Sequence, residues 1–495
     1  MAHEWQHRKD LQYQLLSQCT ISKIMTPKKV LEKIKKLQVK WIRLQFCNPF
    51  GLFHQLSIPS EAITEESFVK GFPIDGSSIL GFTEIDKTDI LLIPDSTTFA
   101  ILPDYFDTNT NNGQNYLAKA GRMFGNIYNG FGEGRFSRDS RYIAQKADQF
   151  AKKNGFTKSY WAAELEFFVF DKIQSNSQQN TTEKNSKPKS PQFISKEAPW
   201  ISHNTEELIH LKRGYYRDSP SDTLTNFRDE VCGTLGELGT KVIAHHHEVA
   251  TAGQCEIVLL YDSLIKMADN FVTGVKTIRE VALKRGMIAS FNPKPIPNDN
   301  GTALHIHQSL WKTKNKKEYN AFYDPSDKYA ELSQTAHYYI GGLLEHARAL
   351  CAITNPTIQS YKRLVPDYEA PTNIAWGKTN RSVSVRIPSH YKKRPESKRI
   401  EYRPPDPSSN IYLVETAILL AGLDGIKKKI QPPDPVDFDT YKLSESEIKK
   451  LGIKKIPTSL KESINAMKSD DEFLKPVIGK DFLEMYLDNL SHYKI

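Results

Sequence analysis

The chain has 495 residues, of which 39% are hydrophobic and 25% charged, with a formal net charge of +9 at neutral pH. That length exceeds one ordinary core and implies two domains, or one large domain with an appendage. The N-terminus is polar, without the apolar core of a signal peptide, and the most apolar stretch, 411–423, is interrupted by Glu415 and Thr416, so neither secretion nor a membrane span is expected.

Residues 1–26 form a polar extension. From Pro27, a helix-start residue, Val30, Leu31, Ile34 and Leu37 carry helical spacing over 27–40. Strands are expected at 41–46, 52–58 and 90–93, which makes 27–126 a small α+β unit containing a tight polar loop at Asp75-Gly76-Ser77-Ser78. Residues 104–115, rich in Asp and Asn, read as a surface excursion. A larger body of helices and strands occupies 127–495. Within it, 174–192 is too polar to order itself and reads as a flexible loop. Residues 431–495 are a proline-rich link followed by charged amphipathic helices. Cysteines at 19, 47, 232, 255 and 351 are odd in number and lack CxxC spacing, which favours the cytoplasm over a disulfide framework or zinc site.

The chemistry concentrates in a few strand-like pieces. In 245–256, His-His-His-Glu-Val-Ala-Thr-Ala-Gly-Gln-Cys-Glu, Thr251-Ala252-Gly253 reads as a hairpin loop with Gly253 in the left-handed position. Folding about Ala252 sets Glu248 roughly opposite Glu256. Like charges across a strand pair repel, so either a cation lies between them or both are solvated on an exposed hairpin. Glu164 and Glu166, His305 and His307, and Arg399, Glu401 and Arg403 each sit at i, i+2 and share one face of a strand. The apolar flanks of Glu164-Leu165-Glu166 bury those acids, which therefore need partners. Carboxylates dominate and no cysteine joins them, a donor set suited to Mg²⁺ or Mn²⁺, with too many acids for one ion.

The arginines indicate what such ions would hold. Arg363, Arg381, Arg386, Arg399 and Arg403 fall close together, interleaved with Gly, Pro, Ser and Asn. Forked guanidinium groups clamp phosphate or carboxylate oxygens, and metals with converging arginines suit phosphoryl transfer. No GxxxxGK[ST] motif is present, so a nucleotide is held by another scaffold. A basic patch also suits nucleic acid, but there is no zinc-finger spacing, RNP-like strand or compact basic arm, and nucleic acid is not an expected partner.

These motifs together resemble glutamine synthetase of the type I, bacterial and archaeal class. The resemblance rests on Asp75-Gly-Ser-Ser78, Glu164-Leu-Glu166, 246–254, Asn300-Gly-Thr-Ala-Leu-His-Ile-His307, 355–371, Asn380-Arg-Ser382, Arg386-Ile-Pro388 and Arg399-Ile-Glu-Tyr-Arg403. It implies a small N-terminal β-grasp domain and a large catalytic domain, an α+β fold with a curved antiparallel half-barrel sheet flanked by helices. It further implies a dodecamer of two stacked hexamers whose active sites are shared between neighbouring subunits. The implied activity is ATP-dependent ligation of ammonium to L-glutamate through γ-glutamyl phosphate.

By the same resemblance, one metal is held by Glu166, Glu248 and Glu256 and another by Glu164, His305 and Glu401. His307, Arg381, Arg386 and Arg399 match nucleotide positions; Asn300, Gly301, Arg363 and Arg403 match glutamate positions. Asp75, Ser78, Tyr215 and Glu369 match an ammonium pocket, with Asp75, Glu369 and Arg381 in catalytic roles. Glu84 and Pro395-Glu396 depart from relatives that carry basic residues there. Tyr441, where some relatives are adenylylated, lacks the acidic residue that usually follows, and is expected to be unmodified. A γ-glutamyl ligase acting on larger amines, and a silent assembly protein on the same fold, are the alternatives. Retention of Asp75, Glu369 and all metal-type residues favours ammonia.

Overall fold

A computed structural model describes residues 25–103, 119–174, 192–200 and 208–492. The excursion expected at 104–115, and almost all of the segments 1–26 and 174–192, lie outside the described residues. The chain divides into two compact units, one of Met1–Phe46, Phe53–Asp75 and Thr88–Arg135, the other of Cys47–Leu52, Gly76–Lys87 and Phe136–Ile495.

The first unit begins with a helix, Pro27–Lys36, capped by the Thr26 hydroxyl, which accepts from the Lys29 N–H at 3.4 Å. Val30 and Ile34 are its buried face, and the lysines take the other. It stops short of residue 40 because Gln38 turns left-handed at φ 54°. Six strands follow: β1 (Trp41–Cys47), β2 (Phe53–Pro59), β3 (Phe72–Asp75), β4 (Asp89–Pro94), β5 (Ala100–Ile101) and β6 (Ala120–Asn129). They pair in the order β2-β1-β6-β4-β3, with β5 also on β6. The boundary expected at residue 126 falls inside β6. β1 runs parallel to β6, and β3, β4 and β5 make antiparallel pairs. This is the expected β-grasp arrangement.

The second unit holds β7 (Lys158–Phe170), β8 (Lys172–Gln174), β9 (Gln192–Ile194), β10 (Val242–His247), β11 (Gln254–Leu259), β12 (Asp262–Ser263) and β13 (Ile288–Ser290). After these come β14 (Ile306–Lys314), β15 (Lys317–Asn320), β16 (Asn373–Lys378), β17 (Val383–Ile387), β18 (Ile400–Tyr402) and β19 (Lys454–Lys455). The main path of the curved half-barrel sheet is β10-β11-β7-β14-β18-β17-β16-β19. It is mixed rather than wholly antiparallel. Residues 379–382 carry the chain back to the level where β16 began, so β17 pairs with it in parallel, Trp376 opposite Val385. Asn380 holds that return: its carboxamide oxygen accepts from the Ser382 N–H, and its nitrogen donates to the carbonyls of Val436 and Phe438.

β7 shows how the sheet sorts its residues. Trp161, Ala163, Leu165 and Phe167 are fully buried on one face, while Glu164 and Glu166 alternate onto the other. Helices Ser140–Lys153, Leu264–Lys284 and Ile411–Lys428 supply much of the apolar packing. Among the described residues no helix is long and apolar enough to cross a membrane.

Candidate active site

The even-numbered face of β7, the hairpin β10–β11, the segment leading into β14 and residues between 363 and 403 line a cleft of about 190 Å³. Glu164 is one of the lining residues. Its Oε2 accepts from His305 Nδ1 at 2.7 Å and its Oε1 from His307 Nε2 at 2.9 Å. Arg399 Nε donates to His307 Nδ1 at 3.3 Å, which leaves the His307 proton on Nε2, pointing at Glu164. Burial would raise the Glu164 pKa, but the hydrogen bonds from His305 and His307 outweigh it and hold the carboxyl well below the usual range. Burial, with Arg403 nearby, lowers His305 to about 4, so its ring is neutral. With Nδ1 committed to Glu164, the buried Nε2 of His305 has no hydrogen-bond partner among the described residues and keeps a lone pair to offer.

Glu166 accepts from the Ala303 N–H at 2.7 Å, and burial raises it to about 7. Glu164, Glu166 and His305 each place one donor atom within 4.8 Å of the others. A second group meets the same test: His246, Glu248 and Glu256. Burial raises Glu248 to about 8, with Glu166 adding to the effect, and raises Glu256 well above the carboxylate range, with Glu164 and Glu248 adding. Glu248 Oε2 is buried and accepts no hydrogen bond from the described residues. Buried, mutually repelling carboxylates with an orphaned oxygen and an orphaned imidazole nitrogen fit divalent cations.

The hairpin register differs from the expected one. His246, not Glu248, stands opposite Glu256, and the Glu248 N–H donates to the Gln254 carbonyl at 2.9 Å. The turn therefore pivots one residue earlier than Ala252, and the two carboxylates are diagonal neighbours. Both Ala252 and Gly253 are left-handed, at φ 59° and 87°. At Gly253 a Cβ would lie 2.4 Å from the Val169 carbonyl oxygen, so that position admits only glycine. The shift brings in His246, which the sequence reading passed over. Its nitrogens lie 3.6 Å from Glu248 and 3.4 Å from Glu256, and the Tyr215 and Tyr216 rings meet it edge-on. Its signal was present, since His246 and Glu248 are themselves an i, i+2 pair.

Two further residues missed by the sequence reading support this hairpin. His247 bridges the Glu248 carbonyl, 2.7 Å from Nδ1, and Glu197, 3.0 Å from Nε2. Asp299 accepts the Thr251 N–H at 2.7 Å.

Arg363, Arg381, Arg386 and Arg403 border the same cleft. Glu401 is gripped by Arg386 at 2.6 Å and Arg403 at 2.5 Å. Burial would raise Glu401, but Arg403 outweighs it and brings the pKa to about 2. Arg363 donates to the Pro404 carbonyl at 2.7 Å. Gly301 packs so tightly that a Cβ would meet the Pro293 carbonyl oxygen at 2.4 Å, and Asn300 beside it is buried. Arg381 lies 3.8 Å from Glu369. His307 and Arg399 stand one layer behind, through Glu164. Asp75 ends β3 in the first unit, and Ser78 follows in Gly76–Lys87.

Comparison with known proteins accounts for this combination. The family model "Glutamine synthetase, catalytic domain" matches residues 137–492, and "Glutamine synthetase, beta-Grasp domain" matches 38–129. The chain belongs to the glutamine synthetase family. It is 46% identical over 463 residues to glutamine synthetase of Sulfolobus acidocaldarius, covering 92% of this chain and 93% of that one. To glutamine synthetase of Aquifex aeolicus it is 40% identical over 472 residues, covering 94% of each. The cryo-EM structure of Plasmodium falciparum glutamine synthetase superposes with a TM-score of 0.80 at 27% identity, covering 94% of this chain and 95% of that chain. Glutamine synthetase membership carries ATP-dependent glutamine synthesis and use of a divalent metal.

Proposed function

We propose that this chain ligates ammonia to L-glutamate through γ-glutamyl phosphate, using two divalent ions and an active site shared between neighbouring subunits. The observation that carries the reading is the pair of carboxylate–imidazole groups set side by side in one arginine-bordered cleft. Glu166, Glu248 and Glu256, with His246, would hold one Mg²⁺ or Mn²⁺; Glu164 and His305, with Glu401 as a further candidate, would hold the other. Bound there, such ions supply Lewis-acid relief of the charge on the phosphoryl and carboxyl oxygens.

The chain's own groups do the rest. Arg386 and Arg399, with His307, would orient the nucleotide, and Arg381 would meet the charge that develops during phosphoryl transfer. Asn300, Gly301, Arg363 and Arg403 form the wall against which glutamate would lie. A carboxylate is a poor electrophile, so its γ-oxygen first attacks the γ-phosphorus of ATP, the β,γ-bridging P–O bond breaks, and ADP leaves with the electron pair. Ammonium is not a nucleophile until it loses a proton; Asp75, with Ser78, Tyr215 and Glu369, would hold it and take that proton. The freed nitrogen then attacks the acyl carbon and phosphate leaves. Glu369 would keep water from the acyl phosphate.

Asp75 belongs to the first unit and the arginines to the second. A homo-oligomer, read as a dodecamer of two stacked hexamers, would let one subunit's Asp75 serve its neighbour. Free thiols at Cys47, Cys232, Cys255 and Cys351 suit a cytoplasmic address. The test is phosphate release and amide formation from ATP and glutamate, with ammonium compared against methylamine and polyamines. Ammonium should give the highest kcat/KM; a larger amine doing so would overturn the ammonia assignment in favour of an amine ligase.

A further inference from the structure

The segment that carries Glu369 is held in an unfavourable conformation. Asp367 and Glu369 both take left-handed backbone, at φ 72° and 57°, a region that residues with side chains occupy only when their surroundings enforce it. Three backbone contacts pin the segment. Lys212 Nζ donates to the Asp367 carbonyl at 2.9 Å, Arg403 Nη2 to the Glu369 carbonyl at 3.3 Å, and the Tyr441 hydroxyl to the Ala370 carbonyl at 2.9 Å. Between these, the Tyr368 ring meets two ammonium groups, Lys294 Nζ at 3.7 Å and Lys212 Nζ at 4.1 Å from its centroid.

Two cations on one ring repel each other, and Lys294 is almost fully buried, so the arrangement needs an anchor. Asp299 is that anchor. Its backbone carbonyl accepts from Lys294 Nζ, and its carboxylate accepts the N–H of Lys212 at 2.9 Å, Thr251 at 2.7 Å and Asn300 at 2.9 Å. One buried aspartate thus ties both lysines to the turn of the Glu248–Glu256 hairpin and to the Asn300 wall.

We propose that Lys212 and Lys294 are positioning residues that grip the Tyr368 ring, hold Glu369 at the cleft, and so set how the activated carboxyl divides between ammonia and water. This rests on the ligase reading above. In the productive branch, the ammonia nitrogen bonds to the acyl carbon, the carbon–oxygen bond to phosphate breaks, phosphate leaves with the electron pair, and one N–H proton passes to solvent. In the wasteful branch, a water oxygen bonds to that carbon, the same bond breaks, phosphate leaves with the electron pair, and the water proton passes to solvent. Both release one phosphate per ATP, but only the first yields an amide.

The experiment measures glutamine and phosphate in the same sample, from the full-length protein with ATP, glutamate, ammonium and Mg²⁺. Tyr368→Leu removes the ring; Tyr368→Phe keeps a face for both cations; Lys212→Met removes an exposed ammonium with little burden on folding. We expect the glutamine-to-phosphate ratio to fall by about fivefold in Tyr368→Leu and Lys212→Met, the population change one such contact supports, and Tyr368→Phe to restore most of it. Loss of both products in equal proportion would overturn the proposal, because a merely structural role slows both branches alike. Should Tyr368→Leu fail to fold, Lys212→Met decides by the same ratio. If the unsubstituted protein releases phosphate without making glutamine, the ligase reading itself fails, and the grip's role with it.

Discussion

Glu415 lies on the apolar helix Ile411–Lys428, fully buried, with neither carboxyl oxygen hydrogen-bonded among the described residues. Burial, with Asp269 adding, raises its pKa well above the ordinary 4.5. The folded chain therefore keeps a proton that the unfolded chain releases above that pH. Where the native state binds one more proton, stability falls as pH rises, by about 1.4 kcal/mol per unit, until the folded pKa is reached. Glu415→Gln has no such term, and every other titrating group cancels in the comparison. Its stability relative to the parent should thus improve as pH rises from 6 towards 8, by at most about 1.4 kcal/mol per unit and only as far as the folded pKa. For 495 residues the unfolding entropy is on the order of 1 kcal/mol/K, so the gap in Tm should widen by at most about 1.4 °C per pH unit over that range. Calorimetric scans of both proteins at pH 6, 7 and 8, at one scan rate and one metal concentration, read this directly. Only the slope tests the argument, since the amide brings a constant offset of its own. A gap that stays constant from pH 6 to pH 8 would show the carboxyl already ionised in the fold and refute the reasoning.

Three further outcomes are expected. Glu401→Ala strips the shared partner from Arg386 and Arg403 and should nearly abolish turnover while light scattering shows an unchanged oligomer; most of the activity surviving at saturating Mg²⁺ would contradict a role for Glu401 in the site. Glu166 and Glu248, raised to about 7 and about 8, are largely protonated at pH 6, so a cation must displace those protons; Mn²⁺ affinity measured by thermal shift should be tenfold or more weaker at pH 6 than at pH 8, and equal affinities would sink the assignment. Asp75→Ala and Arg381→Ala proteins should each be nearly inactive alone yet regain activity when co-expressed in mixed rings; mixed rings verified by mass that stay dead would place Asp75 in its own chain's site.

Much of the site was legible in the sequence because alternation along a strand is a local property. Glu164 and Glu166 share a face of β7 with no reference to the rest of the fold, and their apolar neighbours Ala163, Leu165 and Phe167 announce burial. Like-charged residues gathered on one face announce a cation, and clustered arginines announce an anion. What period alone cannot supply is register, direction and partnership between distant segments. Where the hairpin pivots decided that His246, rather than Glu248, faces Glu256. The parallel β16–β17 pair came from the return that Asn380 anchors, and alternation reads the same whichever way a strand runs. Lys212, Asp299, Lys294 and Tyr368 each look like ordinary loop residues in the chain. They become a unit only because packing brings three loops together and leaves buried charges that must find one another. The sequence alone determined which faces carry the chemistry, since side-chain direction follows from neighbouring residues. The tertiary structure decided which of those groups meet, because desolvated charges and backbone donors are satisfied across the fold, not along the strand.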